Sequence, residues 1–188
     1  MNKILAFDVS TNCASVAIAI DQEILAFEEE LRPHMQAERL VPMIESLLLK
    51  ARIKYTDLDY VSTLVGPGSF TGIRIGLACA KTIAFATNIK QVPITNFEIA
   101  YYRAKDQVKE YNKIIIAIDA YRNQIYLQQF KIDGTATSPA VLDIVDALAI
   151  IQASGQKTII TGSALPILYD QIRSLDITIL PRFPRVRA

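Results

Sequence analysis

Two aspartates stand where the end of a core strand could hold a carboxylate against a phosphate or a metal ion. Asp8 closes the first apolar run of the chain and is followed by Ser10 and Thr11, and Asp119 closes a similar run later. Lobed nucleotide-binding folds carry such a carboxylate at this point, although an aspartate can equally cap its own turn. We therefore predict Asp8, Ser10, Thr11 and Asp119 as nucleotide-facing positions, with turn capping as the alternative.

The segment GPGSFTG, from Gly66 to Gly72, has the composition of a phosphate-binding loop. It lies between a predicted strand and a predicted helix, where Ser69 or Thr71 can cap the helix. No lysine follows as in a P-loop, and the glycine spacing is one residue too long for the dinucleotide fingerprint. The favoured interpretation is a tight turn whose glycines let two backbones approach closely.

Histidine and cysteine are too scarce for an ordinary zinc site. The chain has one histidine, His34, and two distant cysteines, Cys13 and Cys79. A structural zinc ion takes four such ligands, so we predict no metal site and reduced thiols. His34 could serve as a general base, but no carboxylate stands ready to orient it, which favours a packing role.

Composition excludes several classes of protein. A chain of 188 residues that is 51% hydrophobic can bury a core and is not intrinsically disordered. Its 20 Lys and Arg balance 19 Asp and Glu, so no global field favours unaided nucleic-acid binding. No apolar run is long enough for a membrane span, and Asp8 argues against a signal peptide. We predict a cytoplasmic protein.

The elements that position these residues follow a repeated plan. Apolar patterning predicts strands at 4–9, 14–20, 24–30, 60–65, 92–95, 113–118, 124–133 and 157–161. It predicts helices at 34–52, from the GPGS loop to about 88, and at 97–109, 143–153 and 164–173. Pro42 is expected to kink or shorten the first helix.

The segments ILAFDVSTNCASVAIAI and IIIAIDAYRNQIYLQQF share one plan of strand, terminal aspartate, turn and returning strand. Two such copies predict a duplicated α/β fold with lobes at 1–109 and 110–188, and chance similarity is the alternative.

The helix after the GPGS loop carries a stripe of small residues, Gly72, Gly76, Ala80 and Ala84, at intervals of four. Glycine weakens a helix, so the stripe needs a packing reason. Such a stripe lets another helix approach closely. That neighbour is either a helix of the same fold or a helix of a partner subunit.

Four segments in order, ILAFDVSTNCASVAIA, PHMQAERLVPMIESLL, LVGPGSFTGIRIGLACAKTIA and IDAYRNQIYLQQF, resemble the TsaB (YeaZ) family over roughly residues 1–130. The most specific part is GPGSFTGIRIG. The resemblance implies the two-lobed ASKHA fold of acetate kinase, sugar kinases, Hsp70 and actin, in duplicated βββαβα units. The second lobe looks shorter than in most relatives.

The resemblance implies an indirect function. TsaB-like proteins are non-catalytic relatives of TsaD, which transfers threonylcarbamoyl to the adenosine next to the anticodon of tRNAs. TsaD carries a His-x-Glu-Gly-His metal motif, whereas this chain has Asn96 and Ala100 at the two histidine positions. The resemblance therefore implies no metal and no catalytic residue. The chain also has Tyr121 where the family usually shows the first arginine of Asp-Ala-Arg-Arg.

Partners follow from the same resemblance. It implies pairing with TsaD through the first two helices, TsaE as a third subunit, and a homodimer when TsaD is absent. No cofactor is expected to be firmly bound, with ATP or ADP at the partner interface as the nucleotide to consider. Contact with tRNA is expected only through the complex, and contact with membrane is not expected. The implied interface residues are His34, Arg39, Leu40, Met43, Leu47, Gly72, Ile73, Gly76, Ala80 and Ala84.

Two enzymatic alternatives stay open at this point. The first is an active nucleotide hydrolase or kinase of the same fold, using Asp8 and Asp119. The second is a glycoprotease, which the missing metal ligands disfavour.

Overall fold

The computed structural model describes residues 1–11, 13–32 and 35–181, and it divides into two compact units. Unit 1 comprises Met1–Asn96, and unit 2 comprises the described residues from Phe97 onward.

Unit 1 is a five-stranded sheet with two helices against one face. The strand order is β3-β2-β1-β4-β5, in which β1 runs antiparallel to β2 and parallel to β4. A short 3-10 turn at Tyr55–Asp57 precedes the fourth strand. The elements are β1 (Lys3–Asp8), β2 (Ala14–Ile20), β3 (Glu23–Glu30), α1 (Gln36–Ala51), β4 (Tyr60–Leu64), α2 (Phe70–Thr87) and β5 (Lys90–Ile94).

The apolar stripe of α1 forms much of the unit 1 core, as its spacing predicts. Its five buried side chains pack with Leu5 and Phe7 of β1. Pro42 does not end the helix. The bond that its missing N–H would make is to the carbonyl of Glu38, an exposed residue, so water can take that place. The five stripe residues are Leu40, Met43, Ile44, Leu47 and Leu48.

Unit 2 begins with α3 (Asn96–Lys105), whose residues from Phe97 onward belong to it. The boundary predicted at 109/110 falls later than the observed one, because Phe97, Tyr101 and Ala104 pack with strand residues of this unit such as Ile114. The remaining elements are β6 (Lys113–Asp119), β7 (Gln124–Lys131), β8 (Ala140–Asp143), α4 (Ile144–Gln152), β9 (Thr158–Thr161), α5 (Leu165–Ile172) and β10 (Thr178–Ile179).

The two sheets have the same topology. The second has the order β10-β9-β6-β7-β8, in which β6 is antiparallel to β7 and parallel to β9, as β1 is to its own neighbours. The predicted duplication is therefore confirmed and chance similarity is excluded. Strands β8 and β10 are absent from the sequence prediction. Strand β10 has only two residues, and β8 runs directly into α4, so its four residues show no period of their own.

The small-residue stripe of α2 packs on the sheet of its own unit. A Cβ added at Gly72 would overlap the carbonyl oxygen of Val9, and one at Gly76 would lie 2.8 Å from Thr63 Oγ1. Ala80 is fully buried in the same core. For Gly72 and Gly76 the expectation of close packing against another helix is wrong, since their close neighbours are β1, β4 and the residue after β1.

The variant Gly72→Ala tests this packing. Alanine favours a helix by about 1 kcal/mol over glycine, so an exposed site would gain stability. Here the new methyl group meets backbone, which cannot rotate away, and we expect a loss of about 3 kcal/mol in the free energy of unfolding. Urea denaturation measures it. The control is Ala78→Gly on the exposed side of α2, with an expected loss of about 1 kcal/mol. Equal or higher stability of Gly72→Ala would contradict the packing described.

Candidate functional site

The turn after β1 is held by a buried carboxylate. Asp8 is 4% exposed, and its Oδ1 accepts a hydrogen bond from the Ser10 N–H at 2.6 Å. Burial raises the pKa of Asp8 above its ordinary value, and the hydrogen bonds from Ser10 oppose this only in part. Asp8 therefore caps its own turn, as the alternative interpretation states.

Asp119 makes the same turn in unit 2. Its Oδ1 accepts the Tyr121 N–H at 2.8 Å, and its own N–H donates to Ser163 Oγ at 2.9 Å. After Ala120, the three residues Tyr121, Arg122 and Asn123 all have positive φ, between 52° and 62°. Both turns therefore share the bond from the N–H two residues after the aspartate. Asp119 differs from Asp8 in being only half-buried, and it belongs to unit 2.

The GPGS loop is pressed against the turn after β1. The Ser69 N–H donates to the Ser10 carbonyl at 2.7 Å, and a Cβ at Gly68 would lie 2.6 Å from the same oxygen. Ser69 Oγ accepts the Gly72 N–H at 3.3 Å and so caps α2. Ser69, not Thr71, is therefore the cap. The N–H groups of Ser69 and Gly72 are thus already bonded to acceptors of the protein, which supports the tight-turn interpretation over a phosphate loop.

Asn96 joins the loop to the turn. Its Nδ2 donates to the Pro67 carbonyl at 2.6 Å and to Ser10 Oγ at 3.2 Å, and its backbone N–H donates to the Gly66 carbonyl at 2.8 Å. At the position where the resemblance expects a histidine ligand, this chain therefore has a structural amide. The sequence feature that could have predicted this role is the position of Asn96 between a short strand and a helix.

The start of α1 reaches the same turn. The Gln36 side chain donates from Nε2 to the carbonyl oxygen of Thr11 at 2.8 Å. The structure thus brings Asp8, Ser10 and Thr11 together with the GPGS loop and Asn96. We call this group the strand-end cluster.

Most of the predicted interface residues face inward. Leu40, Met43 and Leu47 lie in the unit 1 core, and Gly72, Gly76 and Ala80 lie against the sheet. Their assignment to a partner interface is corrected, because a side chain filling the core of its own unit cannot also contact another protein. Ile73 and Ala84 are partly buried. His34 lies outside the described residues.

Arg39 is the one charged residue of the predicted interface. It is partly exposed and approaches Glu28 at 3.7 Å and Glu30 at 3.5 Å, both on β3. It therefore ties α1 to the sheet. Arg32 also hydrogen-bonds Glu30, which lowers the pKa of that carboxyl to about 2.

The outward sides of α1 and α2 carry large apolar residues that the sequence analysis did not select. On α1 these are Val41 and Leu49, the latter 81% exposed; on α2 they are Phe70 and Phe85, 68% and 92% exposed. The Arg74 guanidinium stacks on the Phe70 ring at 3.8 Å. The two helices contact each other. We call these four apolar residues the outer helix face. The sequence feature that could have predicted this face is the small number of apolar residues that lie outside the buried stripe of each helix.

The described part of the chain holds neither a group of metal ligands nor a membrane-spanning helix. No three His, Cys, Asp or Glu side chains in residues 1–11, 13–32 and 35–181 group as metal ligands. None of the helices in those ranges combines the length and apolar character needed to cross a bilayer.

Comparison with known proteins identifies the family. A family model described as "TsaD: tRNA N6-adenosine threonylcarbamoyltransferase" matches residues 30–166. The "tRNA threonylcarbamoyladenosine biosynthesis protein TsaB" of Haemophilus influenzae is 32% identical over 126 residues, 67% of this chain and 52% of that protein. The chain belongs to this family, in its TsaB (YeaZ) branch. It spans about half the length of this curated relative.

Solved structures of related proteins have the same fold as this chain. "YeaZ from Pseudomonas aeruginosa" matches with a TM-score of 0.78 and 25% identity, over 96% of this chain and 84% of that one. The "Activator of the 2-Hydroxyisocaproyl-CoA Dehydratase from Clostridium difficile with bound ADPNP" matches with a TM-score of 0.52 and 12% identity, over 98% and 89%, which concerns the fold alone. The predicted ASKHA-type α/β fold is confirmed.

The pH dependence of stability tests the state of Asp8. Because burial raises its pKa, the folded protein binds this proton more tightly than the unfolded chain does. The contribution of Asp8 to the free energy of unfolding therefore decreases as the pH rises from the ordinary pKa of 3.8 towards the raised pKa. Asp8→Asn is neutral throughout and can keep the bond to the Ser10 N–H. We expect the variant to be more stable than the wild type at pH 7, with a smaller difference at pH 3.

Urea unfolding from pH 3 to pH 8, with EDTA present, measures this difference. Other titrating groups cancel when the two proteins are compared at each pH. A difference that does not change with pH would contradict the buried, proton-binding state of Asp8.

Proposed function

We propose that this chain is a non-catalytic subunit that binds a TsaD-type transferase. In this role it supports transfer of a threonylcarbamoyl group to the adenosine next to the anticodon of tRNAs. Family membership supports the pathway, since the curated TsaB relatives carry its name. The observation that carries the mode of action is the outer helix face.

The residues at the motif of the catalytic relative support a role without catalysis. Asn96 and Ala100 stand at the two histidine positions, and neither an amide nor a methyl group replaces an imidazole as a metal ligand. The Asn96 amide is also engaged with Pro67 and Ser10. A TsaD-type partner would therefore supply the reacting groups.

The outer helix face supports pairing through two helices. Phe85 is almost fully exposed on α2, and Leu49 is nearly so on α1. Large apolar side chains in such numbers on adjacent helices are typical of a surface that a partner covers. A TsaD-type transferase of the same fold offers a matching pair of helices, so its N-terminal unit is the occupant we propose. Ile73 and Ala84 would lie at the edge of this contact.

The remaining components belong to the same proposal. TsaE joins the assembled pair, ATP or ADP binds at the junction of the subunits, and tRNA is reached through the complex. A second copy of the chain occupies the outer helix face when the transferase is absent, because the two proteins share a fold. A tRNA-modifying role places the protein in the cytoplasm.

The variant Phe85→Glu tests the proposed interface. Its side chain is 92% exposed, so the substitution leaves the fold intact while placing a charge within the proposed apolar contact. We expect the dissociation constant for the transferase to rise by at least about thirtyfold, as for an interface hot spot. Light scattering of the mixture gives the mass of the complex, and titration calorimetry gives the affinity.

Val145→Glu is the matched control, since Val145 is also strongly exposed on a helix, α4 of unit 2. Wild-type protein and this control should both form the one-to-one complex. Unchanged affinity of Phe85→Glu would overturn the interface. Failure of the wild type to bind the transferase would overturn the proposed function itself.

A further inference from the structure

The turn between β6 and β7 has an unusual backbone. Tyr121, Arg122 and Asn123 follow one another with φ of 62°, 52° and 62°. In this left-handed region the Cβ of an L-residue lies too close to the following carbonyl oxygen, so glycine enters it readily and asparagine less so. Elsewhere in the described residues, non-glycine residues with positive φ occur singly. The turn therefore has a conformational cost that glycine at positions 121 and 122 would avoid.

Hydrogen bonds on both sides hold the turn in this conformation. The Tyr121 N–H donates to Asp119 Oδ1 at 2.8 Å, and the Tyr121 carbonyl accepts the Gln124 N–H at 3.0 Å. The Asn123 carbonyl accepts the N–H of Ile144 at 3.3 Å. Strained residues persist where their surroundings over-determine them, and they cluster at ligand-binding and catalytic sites. The turn is held from several directions, so a ligand would not have to order it.

The side chains of this turn do not stabilise the fold. Tyr121 is 74% exposed, and Arg122 and Asn123 are exposed as well. Neither Tyr121 nor Arg122 belongs to a hydrophobic core of unit 2. Arg122 has no ion pair among the described residues. Since neither packing nor an ion pair offsets the conformational cost, the turn indicates a function for these side chains outside the fold.

The three side chains suit an unpaired nucleobase. An aromatic ring stacks on the face of any base, and a ring with few rotatable bonds loses little entropy when it does so. Planar guanidinium and amide groups hydrogen-bond the edges of bases that are splayed out of a single-stranded RNA loop. A phenol ring, a guanidinium and an amide on consecutive residues therefore supply both the stacking and the edge contacts.

The surroundings favour a base over a phosphate group or an apolar protein surface. Two carboxylates lie near the turn, those of Asp119 and Asp143, and they repel a phosphate but not a neutral base. Tyrosine and arginine are also common in protein interfaces, where they fill well-packed, desolvated pockets. The residues beside Tyr121 from 119 to 124 are, however, polar except for Ala120. We therefore treat a protein contact as an outcome of the test.

We propose that Tyr121 stacks on an unpaired base of the tRNA loop that contains the modified adenosine, with Arg122 and Asn123 at the edge of that base. This inference rests on the proposed function, which brings the anticodon loop to the complex. The net charge of this chain is only +1, so most of the affinity for tRNA comes from the rest of the complex. The turn adds one base contact to it.

Binding of RNA by the complex of this chain and the transferase tests the proposal. Light scattering gives the mass of the complex, and fluorescence anisotropy gives the dissociation constant of a labelled anticodon stem-loop RNA. Tyr121→Ala should leave the mass unchanged and raise the dissociation constant about tenfold, as for the loss of one stacked base. Tyr121→Phe keeps the ring and should bind as the wild type does. The salt dependence should be the same in all three, because no charge changes.

Tyr121→Gly separates the side chain from the backbone. Glycine adopts positive φ freely, so in urea this variant should be at least as stable as the wild type. It should nevertheless bind the RNA as weakly as Tyr121→Ala. Tyr169→Ala is the matched control, since Tyr169 is also an exposed tyrosine of unit 2, at 51%. The control complex should bind the RNA as the wild type does.

Three results would overturn the base contact. An unchanged dissociation constant for Tyr121→Ala in an intact complex would do so while leaving the proposed function in place. Loss of the one-to-one mass in Tyr121→Ala would replace the base by a protein contact. If the wild-type chain does not associate with the transferase, the proposed function fails and this inference fails with it, and light scattering shows that before any RNA is added.

Discussion

The close approach of α2 to the end of β1 is the constraint on which unit 1 depends. Gly72 lies against the backbone of Val9, where no side chain fits, and Gly76 lies against Thr63 and Val9. This contact places the start of α2 directly over the turn after β1. The hydrogen bond from Ser69 to Ser10 and the link made by Asn96 follow from that placement. The strand-end cluster is thus a product of helix–sheet packing.

The packing of α1 and α2 on the sheet also determines which sides of these helices are exposed. Once the small residues of α2 and the apolar stripe of α1 are buried against the sheet, their opposite sides must face outward. Those sides carry Phe85 and Leu49, which are too large and too exposed to serve the fold of this chain. The residues that build the unit and the residues available to a partner are therefore different sets on the same two helices, and the sequence pattern alone does not separate them.

The two equivalent turns have the same hydrogen bond, but their aspartates differ in burial. Asp8 and Asp119 end equivalent strands and accept a hydrogen bond from the residue two positions on. Asp8, however, is buried, and its desolvation raises the pKa of its carboxyl. It also lies in register with Ser15 and Glu29. The same turn therefore holds a half-buried carboxylate in one copy and a buried carboxylate with a raised pKa in the other.

The local features of this protein follow directly from its amino-acid sequence. Strand and helix periods, the repeated strand–aspartate–turn plan, the glycine turn before α2 and the family motifs all depend on residues close together in the chain. Even the core side of α1 could be predicted, because five apolar residues share one side of the helix.

What those features contact depends on how distant segments of the chain pack together. Gly72 and Val9, Asn96 and Ser10, and Ser15 and Glu29 are distant in sequence, and strand register and helix placement bring each pair together. The stripe of small residues predicted a close neighbour but not whether that neighbour was a helix or a strand. Burial of Asp8 and exposure of Phe85 likewise depend on everything packed around them. A residue type sets the chemistry that is available, and the assembled surroundings set which part of it the protein uses.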